Sequence, residues 1–260
     1  MAPRSTGSKK RSRSGQVSSV RNDVLRALLN SEYKHLRPRL ERADLEAGEI
    51  IYRADQSIEH VYFPESAVVA MMDTMENGAT VEVGIIGHEG MVGINMFLGH
   101  QVTPDQGIVQ IPGTAMRMTA DDFCRDIRFG SPLQRLLLRY TQAVLAVISQ
   151  SIGCSQHHSV AQRLARWLLT MHYYAEANQF EMSQESIAAM LGVGRARVNM
   201  AAANFKAKGL ITYRRSRIRI VDEMGLKRIS CECYRFIRKE YEALLGDVPK
   251  YLSRKPLIPG

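Results

Sequence analysis

The sequence predicts an α+β protein: a roll of short β-strands, then one long helix, then a winged helix-turn-helix. Three observations carry this. Turn signals recur at short intervals over residues 40–118. Apolar residues then repeat by fours and threes from Leu133 to Cys154, and residues 183–221 read as two short helices followed by a basic hairpin.

Residues 1–22 are rich in Ser, Gly, Lys and Arg, with no acidic residue before Asp23. Such a segment has too little apolar surface to order itself and is expected to be a disordered basic tail. Residues 23–36 read as one short helix, apolar at Val24, Leu25, Leu28 and Leu29, with Pro38 at its exit. In the strand region, Gly48 precedes Glu49-Ile50-Ile51-Tyr52, and Val61-Tyr62-Phe63 stops at Pro64. Residues 68–75 and 80–86 flank Asn77-Gly78, the strongest short hairpin signal, and residues 107–111 lead into Pro112-Gly113. Only a short helix, near residues 90–98, fits within this region.

The long helix is expected over residues 131–152, with Pro132 suited to its first turn. Leu133, Leu137, Tyr140, Val144, Val147, Ser151 and Cys154 form a heptad-like seam, and Leu138, Leu145, Ile148 and Ile152 a second apolar face. A helix apolar on two sides must bury both. One face can lie on the β-roll and the other can meet a second copy; the seam Leu133, Leu137, Tyr140, Val144, Val147, Ser151 is the expected dimer interface. Residues 159–175 form a further amphipathic helix that carries the single tryptophan, Trp167. Residues 222–245 read as one C-terminal helix ended by Gly246.

In the helix-turn-helix, Ser183 caps a helix with apolar Ile187, Ala188 and Leu191, and Glu185 sits in the first turn. Gly192 breaks it, Gly194 leads into a second helix from Arg195 to about Lys208, and Gly209 closes that one. This is the arrangement whose second helix enters the DNA major groove by its N-terminal residues. Arg195, Arg197 and Asn199 are therefore the candidates for base contact. Ser183, Gln184, Lys206, Arg214, Arg215 and Arg217 are the candidates for phosphate contact, the last three in or beside the tip of a hairpin over residues 210–221. Between Ser183 and Val221 there are eight Lys or Arg and one acidic residue, Glu185. That sign and density of charge suit phosphates.

The net charge of +9 points to a polyanionic partner. Four scattered cysteines do not make a secreted disulfide framework, and no signal peptide or membrane-length apolar run is apparent, so a cytoplasmic protein is expected. No phosphate loop or G-x-S-x-G nucleophile motif occurs, so no catalytic residue and no cofactor is assigned. His88-Glu89 lacks the His-x-His partner of a cupin metal centre. His157-His158 with Cys154 is a weak metal pattern, because adjacent histidines rarely aim at one ion. Cys231 and Cys233, if on one helix, would lie about 200° apart, so inert thiols are expected and no metal site is assigned.

Ala47-Gly48-Glu49-Ile50-Ile51-Tyr52, His60-Val61-Tyr62-Phe63, Val160-Ala161-Gln162-Arg163-Leu164-Ala165-Arg166-Trp167-Leu168-Leu169 and residues 183–211, in this order, resemble the Crp/Fnr family of bacterial transcription regulators. The likeness covers roughly residues 23–222. Residues 81–93 and Cys231-Glu232-Cys233-Tyr234 look like a subgroup whose effector domain has diverged. The resemblance implies a cyclic-nucleotide-binding-like β-roll, a dimerisation helix and a winged DNA-binding domain. It divides the chain into a tail (1–22), β-roll (23–130), dimerisation helix (131–156), DNA-binding domain (157–222) and helical extension (223–260). Nucleotide-binding members carry a Gly-Glu pair for the ribose and an Arg-Ser pair for the phosphate. Here Gly93 is followed by Ile94, and Asp105-Gln106 stand where Arg-Ser would fall, so the effector site is degenerate and cyclic nucleotide is not the expected effector. In the reading helix Arg195 matches the family, whereas Ala196 and Met200 do not.

The expectation is a homodimeric, sequence-specific regulator on double-stranded DNA, with RNA polymerase a candidate partner. The competing readings are a cupin-like metal-dependent enzyme or sensor fused to a helix-turn-helix, a non-specific DNA-binding protein, and a helix-turn-helix used for protein docking.

Overall fold

A computed structural model describes residues 20–28, 30–175 and 178–246. Most of the expected basic tail, residues 1–19, lies outside the described residues. Its last residues belong to the fold: Val20 and Asn22 are buried. Asn22 caps α1 (Asp23–Ala27) by accepting from the Leu25 amide, and its Nδ2 donates to the carbonyls of Pro64 and Gly90 at 2.9 and 2.8 Å. The single helix expected over residues 23–36 is two. Leu28 adopts an extended conformation, and α2 (Asn30–Leu36) then runs into a 3-10 turn, Arg37–Arg39, that contains Pro38. One straight helix would set Tyr33 about 180° from Val24; the break lets both enter the core.

The β-roll consists of β1 (Glu41–Leu45), β2 (Ile50–Tyr52), β3 (His60–Pro64), β4 (Val68–Thr74), β5 (Thr80–Ile86), β6 (Gln106–Ile111) and β7 (Gly113–Thr119). Two antiparallel sheets, ordered β1-β7-β3 and β2-β6-β4-β5, close over Val61, Phe63, Val69, Val109 and Met118. The β4–β5 hairpin turns at Asn77-Gly78, with Gly78 at φ +80°. A Cβ at Gly113 would stand 2.6 Å from the Ser66–Ala67 backbone, which accounts for glycine where β6 passes into β7. The short helix expected near residue 94 is α3 (Ile94–Phe97). After β7 comes α4 (Ala120–Asp126), not anticipated from sequence although Thr119 caps it and Asp121 and Asp122 fill its first turn. Its Phe123 packs edge-on to Phe63, and buried Asp126 accepts two bonds of 2.8 Å from Arg39.

Helix α5 (Pro132–His157), capped by Ser131, is longer than expected, and α6 (Val160–Ala175) follows after a single extended turn. The two-faced reading of α5 holds, but the assignment of its faces is corrected. Leu133, Leu137 and Tyr140 are 0–1 % exposed within the single chain, and Val144 and Val147 pack against the same core. The first half of the seam expected to meet a second copy, Leu133, Leu137 and Tyr140, is thus taken up by the β-roll and the chain's own C-terminal helix, while Val144, Val147 and Ser151 stay half-buried. The open face is the other one: Leu138 and Leu145 are 55 % exposed and Ile152 62 %.

The helix-turn-helix unit holds β8 (Gln179–Glu181), α7 (Gln184–Leu191), α8 (Arg195–Ala207), β9 (Ile211–Arg214) and β10 (Arg217–Ile220), with sheet order β8-β10-β9. The C-terminal segment, expected as one helix, is α9 (Glu223–Ile229) and α10 (Cys233–Gly246), broken at Ser230, which is extended. Leu226 of α9 and Tyr234 at the start of α10 pack into the core of the helix-turn-helix unit, whereas Ile237 and Tyr241 farther along α10 pack into the β-roll core. One straight rod cannot serve both, and the break removes the premise that Cys231 and Cys233 share a helix and point apart.

Where β-roll, α5 and α6 meet, the Glu89 carboxylate is buried among Gly87, Tyr140 and Tyr174, and accepts from the Gly87 amide at 3.2 Å. Burial pushes it up to about 7, partly opposed by His88. A carboxyl with a raised folded pKa stabilises the fold fully below about 4.5, and that contribution is lost as pH rises through 7. Urea unfolding is therefore expected to show stability falling by on the order of 1–3 kcal/mol between pH 4.5 and 7.5, with the slope flattened in Glu89→Gln.

Candidate nucleic-acid interface

The reading unit is set by its own small core. Ile187, Ala188 and Leu191 of α7 meet Val198, Ala202 and Phe205 of α8, all buried. Ser183 accepts from the Ser186 amide at 2.9 Å, and Gly192 ends α7 at φ +60°, which turns the chain into α8. An arginine of α6, Arg163, donates to the Leu191 carbonyl and ties that end to the helix below.

With that face of α8 buried, Arg195, Asn199, Ala203 and Lys206 stand along its side toward α7 and the hairpin. Together with Ser183, Gln184 and Glu185 from the start of α7, and Tyr213, Arg215 and Ser216 from the hairpin, they line an open cleft of about 440 Å³. The cleft gathers Arg195, Asn199, Ser183, Gln184, Lys206 and Arg215 from the residues that sequence reasoning singled out. It does not gather Arg197, exposed on the far flank of α8 about 200° from Arg195. Nor does it gather Arg214 and Arg217, which flank the turn at the hairpin's tip.

Arg195 lies 3.6 Å from Glu185, both largely exposed, so the pair holds little energy and leaves the guanidinium available. Asn199 Oδ1 is shut from solvent and has no hydrogen-bond partner among the described residues. Arg217 pairs with Glu181 across the sheet at 2.9 Å, and in register it faces Arg214, so two like charges sit directly opposite one another. Sequence reasoning missed the outermost face of α8. With the buried face known, a helical wheel points Ala196, Met200 and Ala203 straight outward, and Met200 is 74 % exposed.

The hairpin turns through Arg215 and Ser216, both left-handed at φ +49° and +64°. This is the two-residue turn that suits β-strand twist, normally made by Asn-Gly. The turn is held from below: the Met182 amide donates to the Ser216 carbonyl at 2.6 Å, and Tyr213 Oη donates to the Met182 carbonyl at 2.8 Å.

In the β-roll, Gly93 opens α3 at φ +90° and Ile94 is half-buried behind it. Asp105 accepts hydrogen bonds from the hydroxyls of Tyr52 and Thr103, and the Tyr52 ring lies where a Cβ on Gly107 would collide with it. Gln106 begins β6, paired with Met72. A cavity of about 390 Å³ runs from Tyr52, Met71 and Gly84 to Val144 on α5 and Trp167 on α6. At its α6 side Trp167 Nε1 donates to Glu82 at 3.3 Å, and desolvation raises that carboxyl's pKa.

Residues 42–125 match the model of the cyclic nucleotide-binding domain, and residues 162–229 match that of the Crp-like helix-turn-helix domain. The two matches together span more than half of the chain. It belongs to the Crp/Fnr family of transcription regulators. Solved Crp/Fnr-type structures share its architecture. FixK2 from Bradyrhizobium japonicum is 17 % identical at a TM-score of 0.60, over 74 % of this chain and 98 % of that one. The c-di-GMP-responsive global regulator CLP from Xanthomonas campestris is 14 % identical at 0.58, over 73 % and 98 %. A CRP-family transcriptional regulator from Thermus thermophilus, TTHB099, is 18 % identical at 0.58, over 73 % and 96 %. Identities this low establish a common fold. Among curated proteins, none matches the sequence significantly. No helix among the described residues is long and apolar enough to cross a membrane.

In this Crp/Fnr chain the wing turn holds strain, since each left-handed non-glycine residue costs about 1–2 kcal/mol. Replacing Arg215-Ser216 by Asn-Gly is expected to raise stability by about 1–2 kcal/mol in thermal unfolding. The same change is expected to lower the salt dependence of DNA affinity by about one phosphate contact.

Proposed function

We propose that the chain regulates transcription as a homodimer that reads a partly palindromic operator in double-stranded DNA, without a cyclic nucleotide as effector. The observation that carries this reading is the cleft. Arg195 and Asn199 of α8 line it beside Ser183 and Gln184 from α7 and Arg215 and Ser216 from the wing, groups that suit phosphate contact. Arg195 suits the O6 and N7 of guanine and Asn199 the N6 and N7 of adenine, while Ala196, Met200 and Ala203 offer apolar contact to thymine methyls. Ser183, Gln184, Lys206 and Arg215 hold the backbone, with Arg214 and Arg217 at the wing's edge and Arg197 reaching the strand on the opposite flank.

Dimerisation is supported by the open face of α5. Leu138, Leu145, Ile148 and Ile152 repeat by seven, three and four, the spacing of a two-helix seam, and all four stay 37–62 % exposed within the described chain. Such a pair would set two reading helices about 34–36 Å apart, one turn of duplex. Independence from cyclic nucleotide is supported by Asp105, an acidic group locked by Tyr52 where a phosphate would need a cation.

Arg195→Ala is expected to cost about 1–3 kcal/mol on the operator and to blur its sequence preference, whereas Arg215→Ala weakens all DNA alike. Binding to selected and scrambled duplexes at fixed salt checks both, and equal affinity of the parent chain for the two overturns the reading. Leu145→Glu is expected to shift the chain to monomer in sedimentation and to lower operator affinity at least tenfold, about 1.4 kcal/mol. An unchanged sedimentation coefficient would remove the proposed seam.

A further inference from the structure

The break between α9 and α10 carries three thiols and an imidazole to one point at the α5–α6 junction. Cys154 lies in the last turn of α5 and His158 is the residue that ends it. Cys231 sits in the break and Cys233 opens α10. The three cysteines are buried and form a small cluster of their own, apart from both hydrophobic cores. Cys154 Sγ is 3.6 Å from Cys231 Sγ, Cys233 Sγ is 3.6 Å from His158 Nδ1, and all four donor atoms lie within 4.8 Å of one another. Tetrahedral zinc, with Zn–S of about 2.3 Å and Zn–N of about 2.0–2.1 Å, sets sulfur atoms about 3.8 Å apart and sulfur to nitrogen about 3.6 Å. The Cys154–Cys231 and Cys233–His158 pairs already stand near that spacing, and the remaining donors lie within 4.8 Å.

We propose that Cys154, His158, Cys231 and Cys233 bind one zinc ion in a closed, four-ligand structural site. The groups around the cluster fit this and are not needed by packed thiols. His158 Nε2 lies 3.3 Å from the Glu232 carboxylate, which holds the N–H on that nitrogen and leaves the Nδ1 lone pair facing the sulfurs. A carboxylate behind a ligating imidazole is the usual support of a zinc histidine. Gln150 Nε2 donates to Cys233 Sγ at 3.0 Å, as suits a thiolate. Arg163 and Arg166, at the start of α6, act electrostatically on Cys154. Three thiolates, a neutral imidazole and a divalent ion carry a net charge of −1, which these arginines offset. The thiolate-rich donor set selects zinc over magnesium or calcium. As each sulfur joins the ion its thiol proton passes to solvent, so uptake releases up to three protons. With no open position, the ion acts as a rivet: it fastens the turn between α5 and α6 to the turn between α9 and α10.

The test measures metal on the full chain and does not depend on DNA binding. Purified under reducing conditions without chelator, the chain is expected to contain one zinc per polypeptide by elemental analysis. After chelator treatment, titration with cobalt(II) is expected to give the visible bands of a tetrahedral, thiolate-bound ion, which zinc then displaces. Cys154→Ser and Cys231→Ser should lose the zinc, Glu232→Gln should weaken it by about tenfold, and Cys124→Ser, on α4 away from the cluster, should keep it. The cobalt titration uses the parent chain, so it decides even if a variant fails to fold. Three results overturn the proposal: a reduced chain that takes up neither metal, a cobalt spectrum of octahedral type, or a Cys154–Cys231 disulfide formed without metal.

Discussion

The structure depends on how α5 is seated. A helix of 26 residues with two apolar faces must bury at least one of them in its own chain. Here Leu133, Leu136, Leu137 and Tyr140 go under the β-roll. The Tyr140 hydroxyl donates to the Met91 carbonyl and accepts from the Met91 amide, at 3.2 and 3.1 Å. That polar pin fixes the rotation of the helix. The rotation then decides which residues face outward, where the α6 turn falls, and where the reading unit sits relative to the β-roll.

Much of this was legible in the sequence, because local rules and tertiary demands agreed. The Asn77-Gly78 turn, the Ser183 cap, Gly192 and the alternation of Ile218 and Ile220 each state their own structure. The failures share a cause. The periodicity of α5 showed two apolar faces but not which one the chain would use, since either could reach the β-roll until the covering helix α10 was placed. The C-terminal segment read as one helix because its apolar residues are helically spaced, while Leu226 and Tyr234 belong to one core and Ile237 and Tyr241 to the other. The same error hid the cysteine cluster, which needs the break at Ser230 to bring Cys231 to Cys154. In the candidate interface, residue types pointed to the cleft, but the outward face of α8 emerged only once its buried face was known.

The wing runs against the usual preferences of folding in a small region. An arginine and a serine occupy left-handed positions where glycine would rest without strain, and two arginines face each other across the hairpin. Neither feature helps the fold. Both concentrate positive charge on a rigid edge that Tyr213 and Met182 lock to the start of α7. The β-roll shows the opposite tendency: Tyr52 and Thr103 both bond to Asp105 and so satisfy its carboxylate within the fold.

The return of α10 to the first core has a mechanical consequence. The chain leaves the β-roll along α5, builds the reading unit, and comes back to lay Ile237 and Tyr241 beside Tyr140. The two lobes are thereby joined by a pair of struts, not a single stalk. A swing of one lobe about the α5–α6 bend must also slide the second strut in its seat and part Trp167 of α6 from Glu82 of β5, so the α5–α6 bend is not a free pivot.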